Sequence, residues 1–383
     1  MSSPAPSRPE PFDVVVVALS ARALARSAKR AGLRALSLDL FADADTQEHA
    51  ACAVRVAGRS QGFGFARRAL LAELERRAPT GTPVVLGAGF EDAPRLMASI
   101  DRRWPLRGAS AEVVAQLKDP FAFAALLDRI GAPHPAVAGE ARPGWLSKRV
   151  GASGGGHIRF GGRPGRRRYV QQRAPGEPLS ALFLADGQRA AVIGFSRQWT
   201  DPTAAAPFRY GGAVGPVTIP DALRDAVASC LNGLVAETGL RGLASLDLLV
   251  DRDSFVVVEV NPRPGATLDV FDRGPASLLA AHLDASDGRL PVAQPAALAP
   301  QAAAVIYAPF DCRVAGLSRP SWTADWPDDD ALITRGAPVC TAFAAAATPE
   351  AARALVDARR SRLLTSLGAG PAAARPTRTT VSA

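Results

Sequence analysis

Val14-Val15-Val16-Val17, the middle of an apolar run from Phe12 to Leu19, is the tightest constraint in the chain. A strand with one face in water alternates polar and apolar residues, whereas an unbroken run suits a strand buried on both faces, as in a parallel sheet covered by helices. The next residues fit that setting: a helical pattern from Ala21 to Ala31 closed by Gly32, then a strand from Leu33 to Leu38 ending at Asp39. This is a β-α-β unit of the doubly wound kind, and Val84 to Leu86 with Gly87-Ala88-Gly89 adds another strand and a glycine turn. The turn lacks the third glycine and the spacing of a dinucleotide fingerprint, so it reads as a tight turn at a strand end, and Asp39 as a turn or cap residue.

A length of 383 residues, at roughly 150 per domain, implies two or three domains. Met1 to Pro11 is a Ser/Pro-rich polar arm without the apolar core of a signal peptide, and no apolar run approaches the ~18 residues of a membrane span. The expectation is a cytoplasmic protein with no membrane partner. Cys52, Cys230, Cys312 and Cys340 form no CxxC pair, which points to reduced thiols rather than a zinc site. The net charge of +9 would ordinarily raise nucleic acid as a partner. However, only Lys29, Lys118 and Lys148 are lysines among the 45 basic residues, and arginines scattered through an Ala-rich chain look like a compositional bias. The scarcity gives each lysine interest, because an ammonium and a guanidinium are not interchangeable at a phosphate.

A second segment opens near Arg107 with a helix for which Asp119 is the cap, Pro120 the first residue and Gly131 the end. Strand-like stretches come next at 144–150, 158–160, 168–173, 179–184 and 190–197, then a helix at 222–238 and two strands, 243–250 and 255–261, joined over Asp251 to Ser254. This reads as an antiparallel α+β domain. Beyond Leu290 come an Ala/Pro linker, a short strand-rich piece from Ala303 to Phe343, a helix from Pro349 to about Leu367 and a tail from Gly368 expected to be disordered.

The densest chemistry is in the last pair of strands. Glu259 and Asn261 are two apart and share a face. With an odd number of residues in the hairpin loop, Asp247 lies directly across from Glu259. Two carboxylates and an amide oxygen then converge on one patch, and a cation is the natural way to offset their repulsion; hard oxygens with room for water and phosphate describe Mg²⁺ better than calcium or zinc. A pair of satisfied edge-strand carboxylates is the competing reading. The other signal is Lys148, which runs into Gly151-Ala-Ser153-Gly154-Gly155-Gly156-His157, a turn whose backbone N–H groups could wrap phosphate oxygens. His157 there reads as an exposed loop residue. Arg163-Pro-Gly-Arg166-Arg167-Arg168 reads as a solvated hairpin turn before a nucleic-acid patch.

In order along the chain, Lys118 before a helix, Lys148 before its glycine loop, Gln171-Gln172-Arg173-Ala174-Pro175-Gly176-Glu177, Asp247 and Glu259-x-Asn261-x-Arg263 resemble the ATP-grasp superfamily. The resemblance implies a mixed α/β and α+β protein: a Rossmann-like pre-ATP-grasp domain at 12–106, an ATP-grasp domain at 107–289 and a small C-terminal domain at 290–367, flanked by the arm at 1–11 and the tail at 368–383. Phe208-Arg-Tyr210-Gly-Gly-Ala-Val-Gly215-Pro216 and Asn261-Pro-Arg-Pro-Gly-Ala-Thr267-Leu-Asp269 are most similar to the carboligase-like group of methanogens and methylotrophic bacteria, which includes tyramine–glutamate ligases of methanofuran assembly. Arg335 to Thr341 resembles the closing piece of biotin-carboxylase-like members.

Carried over, Lys118 and Lys148 would hold ATP phosphates, with Ser153 and Gly154 to Gly156 closing over them. Gln172, Arg173 and Ala174 would face adenine, and Glu177 the ribose. Asp247, Glu259 and Asn261 would hold one or two Mg²⁺, for which Mn²⁺ could substitute, and Arg263 with Lys148 would meet the transferred phosphoryl group. Arg197, Arg209, Tyr210 and Asp269, with Asp272, are the substrate candidates: arginine for a carboxylate, aspartate for an amine. The implied activity is ATP-dependent joining of a carboxylate to an amine through an acyl phosphate, in biosynthesis of a one-carbon-carrier cofactor, on small molecules and with a homodimer left open. The rivals are a bicarbonate-activating carboxylase-like enzyme, a non-catalytic nucleotide-binding regulator and, last, a nucleic-acid binder.

Overall fold

The computed structural model describes residues 11–60, 64–291 and 298–369. Most of the arm, part of the Ala/Pro linker and the tail beyond 369 lie outside the described residues. In the first domain β1 (Val14–Val17), α1 (Arg22–Arg30), β2 (Ala35–Asp39), α2 (Ala44–His49), β3 (Cys52–Arg55), α3 (Arg67–Arg77), β4 (Val84–Leu86), α4 (Pro94–Asp101) and β5 (Leu106–Arg107) alternate. Their sheet has the order β3-β2-β1-β4-β5 with parallel pairing throughout. The four valines of β1 are fully buried, as the unbroken run requires. The chain order reverses between β1 and β4, where parallel sheets of this kind open a crevice at their carboxyl ends. Gly87 lies there: a Cβ on it would come within 2.7 Å of the Ala18 Cβ, so the ends of β1 and β4 approach only because this residue has none. Asp39 is the expected turn residue, accepting from the Ala21 and Phe41 amides at 2.9 Å.

Two helices come next, α5 (Ala111–Lys118) and α6 (Pro120–Arg129). The first went unread in the sequence, so Lys118 ends one helix as well as preceding another. A four-stranded sheet of β6 (Val137–Ala138), β7 (Leu146–Arg149), β8 (Arg159–Phe160) and β9 (Arg168–Gln171), in the order β6-β9-β7-β8, forms the lid. Then come β10 (Glu177–Asp186), β11 (Ala190–Thr200), β12 (Tyr210–Gly215), α7 (Asp221–Thr238), β13 (Arg241–Asp251), β14 (Ser254–Asn261), α8 (Leu268–Phe271) and α9 (Leu278–Ser286). The chain closes with β15 (Gln301–Tyr307), β16 (Thr323–Ala324), β17 (Pro338–Ala345) and α10 (Pro349–Ala369). These C-terminal strands extend the central sheet, whose order is β14-β13-β10-β11-β12-β15-β17-β16, instead of forming a sheet of their own. The last helix continues through Gly368 and Ala369, where a tail was expected.

Strand β10 shows how this sheet is held. Leu179, Ala181, Phe183 and Ala185 pack with Leu126 and Leu127 of α6 and Leu231 and Leu234 of α7. The alternate residues Leu182 and Leu184 pack on the opposite side with Leu24 of α1, Phe271 of α8 and Leu279 of α9. Period-two alternation thus feeds two cores, and one of them joins the first domain to the second. The cysteines are free thiols, and among the described residues no helix is long and apolar enough to cross a membrane. Phe183 is wholly buried at the centre of the sheet, so Phe183→Ala should lower unfolding free energy by about 3–5 kcal/mol, read as a denaturant midpoint shift with unchanged slope.

Candidate functional site

The hairpin β13–β14 sets the site by a route the sequence did not disclose. Its turn holds two residues, Arg252 and Asp253, between the paired Asp251 and Ser254, with Arg252 left-handed at φ 54°. An even loop alone would place Asp247 opposite Val258. The register shifts between Asp247 and Leu248, however, leaving Val258 as an extra residue, and Asp247 pairs with Glu259 after all. The expected juxtaposition is present, through a bulge in place of an odd loop.

Asp247 is half-buried and accepts hydrogen bonds from Ser180 Oγ at 2.7 Å, Gln198 Nε2 at 3.1 Å and Asn261 Nδ2 at 2.9 Å. Burial, and then the neighbouring Glu259, still push its carboxyl above the usual range. Glu259 goes the other way: burial would raise it, but Lys118 and Lys148 hold it below its ordinary value. The Lys118 ammonium donates to Glu259 Oε1 at 2.5 Å and to Asn261 Oδ1 at 3.0 Å. Its position results from the corner between α5 and α6, where the Asp119 side chain caps α6 by accepting from the amides of Phe121 and Ala122. Lys148, on β7, is buried and donates to Gln171 Oε1 at 3.1 Å. Burial lowers its affinity for a proton, against the pull of Glu259 and Asp247.

Arg263 is anchored from the first domain: its Nε donates to Glu91 Oε1 at 2.8 Å, and the Gly89 amide donates to Glu91 Oε2 at 2.8 Å. Burial opposes ionisation of Glu91, but Arg263 and Lys118 carry its carboxyl down to about 2. Sequence reasoning stopped at the glycine turn and missed this residue two positions on, at the crevice the strand order creates. Ser180, Gln198 and Gln171 were also missed, since only the fold brings their strands beside the charged groups.

The glycine loop is seated against the segment before β12. The Tyr210 amide donates to Gly154 O at 2.9 Å, and a Cβ on Gly155 would meet Phe208 O at 1.9 Å, so this left-handed position at φ 69° admits glycine alone. Ser153 and Gly156 are half-buried beside it. His157 is not the exposed loop residue expected: its Nδ1 accepts from the Arg149 amide at 3.1 Å, which leaves the proton of the neutral ring on Nε2. Burial lowers its pKa to about 4.

Other candidates lie elsewhere. Gln172 and Arg173 are exposed and Ala174 half-buried where β9 runs out, with the Gln172 amide on Ala136 O. Glu177 is the exposed first residue of β10. Arg197 alternates with Gln198 on β11 and so faces away from Asp247, pairing with Glu350 of α10 at 2.7 Å. Arg209 is paired with Asp201 at 2.6 Å and stacked on Tyr307, while Tyr210 is half-buried and its carbonyl accepts from the Tyr307 hydroxyl at 2.9 Å. Asp269 is engaged by Arg22 and Arg26, and Asp272 by Arg30, so neither presents the free carboxylate that an amine would need.

Among the described residues no cluster of three His, Cys, Asp or Glu side chains could hold a metal. The oxygen set at the hairpin is two carboxylates and an amide; Glu259 and Asn261 are already drawn onto one cation, the Lys118 ammonium, and Asp247 lies beside them, held by neutral donors. That donor chemistry fits a hard divalent ion.

The pKa of His157 is depressed, so acid protonates the unfolded chain first and folding stability falls as pH drops from about 6.5 toward 4. Between pH 7 and pH 5 wild type should therefore lose about 2 kcal/mol more than His157→Gln, measured from urea midpoints at both pH values.

Residues 119–267 match the family model described as the ATP-grasp domain. A comparison with curated proteins gives no match. Among solved structures, the biotin carboxylase domain of Hydrogenobacter thermophilus 2-oxoglutarate carboxylase, in complex with MgADP, ADP and bicarbonate, superposes with a TM-score of 0.71 at 14% identity, over 93% of this chain and 90% of that one. Thermotoga maritima phosphoribosylamine–glycine ligase gives 0.66 at 16% identity, over 92% and 96%. The carboxyaminoimidazole ribonucleotide synthase of Aspergillus clavatus, complexed with ATP, gives 0.67 at 14%, over 92% and 98%. The chain therefore carries an ATP-grasp domain within a fold of the biotin-carboxylase-like kind.

Proposed function

We propose that this protein is an ATP-dependent ligase that joins a carboxylate to an amine, with ATP and Mg²⁺ bound between the lid and the β13–β14 hairpin. The observation that carries the reading is the meeting of Asp247, Glu259 and Asn261 with Lys118 on one partly buried patch, with Lys148 within electrostatic reach. Asp247, Glu259 and Asn261 would hold the metal, whose contribution when bound is counter-charge for phosphate oxygens. In the reaction proposed, a substrate carboxylate oxygen attacks the γ-phosphorus of ATP, the bond to the bridging oxygen breaks and ADP leaves. The amine nitrogen then attacks the acyl carbon, inorganic phosphate departs and the nitrogen gives up a proton.

Phosphoryl transfer asks the protein chiefly for positioning and counter-charge in a site shielded from water. Lys148, nearly desolvated, would supply a point charge to phosphate oxygens, and Lys118 a second. Gly154 to Gly156 would offer backbone amides. Arg263, oriented by Glu91, would face the transferred group. Gln172, Arg173, Ala174 and Glu177 remain the proposed adenine and ribose segment. The first domain would present the acceptor from its crevice, since Glu91 reaches the site from there. Resemblance to the carboligase-like group extends the proposal to biosynthesis of a one-carbon-carrier cofactor, and to a homodimer. Bicarbonate, present in the complex of the Hydrogenobacter carboxylase domain, is the second carboxylate-like substrate to be tried.

ADP release should be followed with Mg·ATP against panels of carboxylates, bicarbonate and amines, with mass detection of products. A signal requiring carboxylate and amine together, with a product one water lighter than its parents, is the expected result; ADP release with bicarbonate alone would favour the carboxylase chemistry. Glu259→Gln should reduce turnover at least a hundredfold and leave the melting temperature within a few degrees. Lys148→Arg should fail likewise, because the slot beside Gln171 is fully enclosed; full activity in that variant would remove Lys148 from the phosphate site.

A further inference from the structure

The net charge of +9 is concentrated in one place. Between Glu140 and Glu177 the chain has no aspartate or glutamate but eight arginines and Lys148; outside this stretch 36 basic residues balance 36 acidic ones. The stretch is the lid. Lys148 faces the carboxylates of the hairpin, so the lid's own register decides where the other charges point. Ser147 pairs with Arg159 on β8, and Arg149 with Arg168 on β9. Residues directly opposite share a face, and successive residues alternate, so Ser147, Arg149, Arg159 and Arg168 lie on the outer face, away from Lys148.

Like charges opposed across strands are unfavourable, and this face has little to relieve them. Arg149 leans toward Asp92 of the first domain at 3.8 Å. The Arg168 guanidinium is fixed by neutral acceptors alone: Ser147 Oγ at 2.9 Å, Ser147 O at 2.8 Å and His157 O at 2.9 Å. Arg159 donates to the carbonyls of Gly156 and Ile158 at 2.7 and 2.8 Å. Ser147, Arg159 and Arg168 line a groove with Gly161, Arg163 and Phe160. Phe160 pairs with Leu146 and so leaves the sheet on the opposite side from Arg159, at the rim of the groove, where it is 59% exposed, lies against Phe208 and has the Arg173 guanidinium over its ring.

We propose that the outer face of the lid is a docking surface for an acidic segment of a partner polypeptide, whose carboxylates pair with Arg159, Arg163 and Arg168 and which reaches over the β8 edge, so that an apolar side chain covers the exposed part of Phe160. Arginine beside an exposed aromatic is the composition of protein–protein hot spots, and guanidiniums oriented by neutral acceptors are ready for carboxylates. A nucleic-acid strand would need successive stacking platforms, and Phe160 is the one exposed large hydrophobic residue of the lid among the described residues. A second copy of the chain meeting it lid to lid would bring the same positive charge and be repelled. The inference is independent of the chemistry proposed for the inner face, and its test requires no turnover.

The full-length protein would be titrated into fluorescein-labelled decaglutamate, a labelled alternating Glu/Lys decapeptide and labelled ten-nucleotide oligo-dT, at 50 and 200 mM salt. Decaglutamate should bind most tightly and weaken steeply with salt. The Arg159→Ser, Arg163→Ser double variant should bind it at least tenfold more weakly, and Phe160→Ala at least threefold more weakly toward a decaglutamate carrying a central leucine, with the melting temperature unchanged in both. Tighter binding of oligo-dT would make nucleic acid the ligand and overturn the proposal, as would equal binding of the neutral peptide or an undiminished affinity in the double variant.

Discussion

Asp247 and Glu259 stand opposite each other on adjacent strands, both half-buried, and much of the architecture serves to make that tolerable. Two facing carboxylates partly removed from water repel each other and lose hydration, so each must find protons, dipoles or cations. Asp247 is met by three uncharged donors drawn from β10, β11 and β14. Glu259 is met by the Lys118 ammonium. The division is visible in their opposite displacements, Asp247 upward and Glu259 downward. A pair built only for stability would be replaceable by well-packed apolar residues; retaining both acids within reach of two buried lysines is the pattern of a site that binds charge.

The same logic joins the domains. Arg22, at the start of α1 and 3% exposed, lies among Asp269 of α8, Asp45 of α2 and Asp325 from the C-terminal piece. Asp325 accepts in addition from Ser20 and Thr341, and its backbone is left-handed at φ 56°. Removing one member of such a network strands the others in the interior, which is more harmful than never having buried them. Glu91 and Arg263 add a second polar tie between the first domain and the hairpin. The first domain is thereby fixed to the site as part of its wall, and the apolar seam of α1 and α9 beneath β10 locks the arrangement.

Short-range signals were legible in the sequence. The valine run, the caps at Asp119 and Gly131 and the strand pairs all depend on neighbours within a few residues, and they stand where the pattern put them. The pairing of Asp247 with Glu259 was read correctly from an incorrect premise, because the bulge at Val258 restores what the two-residue turn would have undone. Long-range facts were not legible. Periodicity cannot tell which turn presents a glutamate to Arg263, nor that Arg22 and Arg30 already occupy Asp269 and Asp272. Likewise, the alternation that turns Arg197 away from the site could be applied only after Gln198 was known to face Asp247. The C-terminal strands failed for the same reason: nothing local reveals that β15 pairs with β12.

The near-absence of lysine has a different meaning at each of the three positions that keep one. Lys29 donates to the Glu48 carbonyl on an exposed helix end, a task arginine performs as well. Lys118 is different: a single nitrogen meets Glu259 and Asn261 together within bonding distance, at a helix corner where its side chain is 5% exposed. A guanidinium is a larger planar group with its donors fixed in a fork, and it would not reproduce a single point charge there. Lys148 is enclosed to 3% exposure beside Gln171, and its burial makes the charge less favourable than in water, so whatever fills that slot must be small enough to fit and must gain from an approaching anion. In a chain that uses arginine for every general purpose, including the outer face of the lid, the two enclosed ammonium groups mark where a point charge was required.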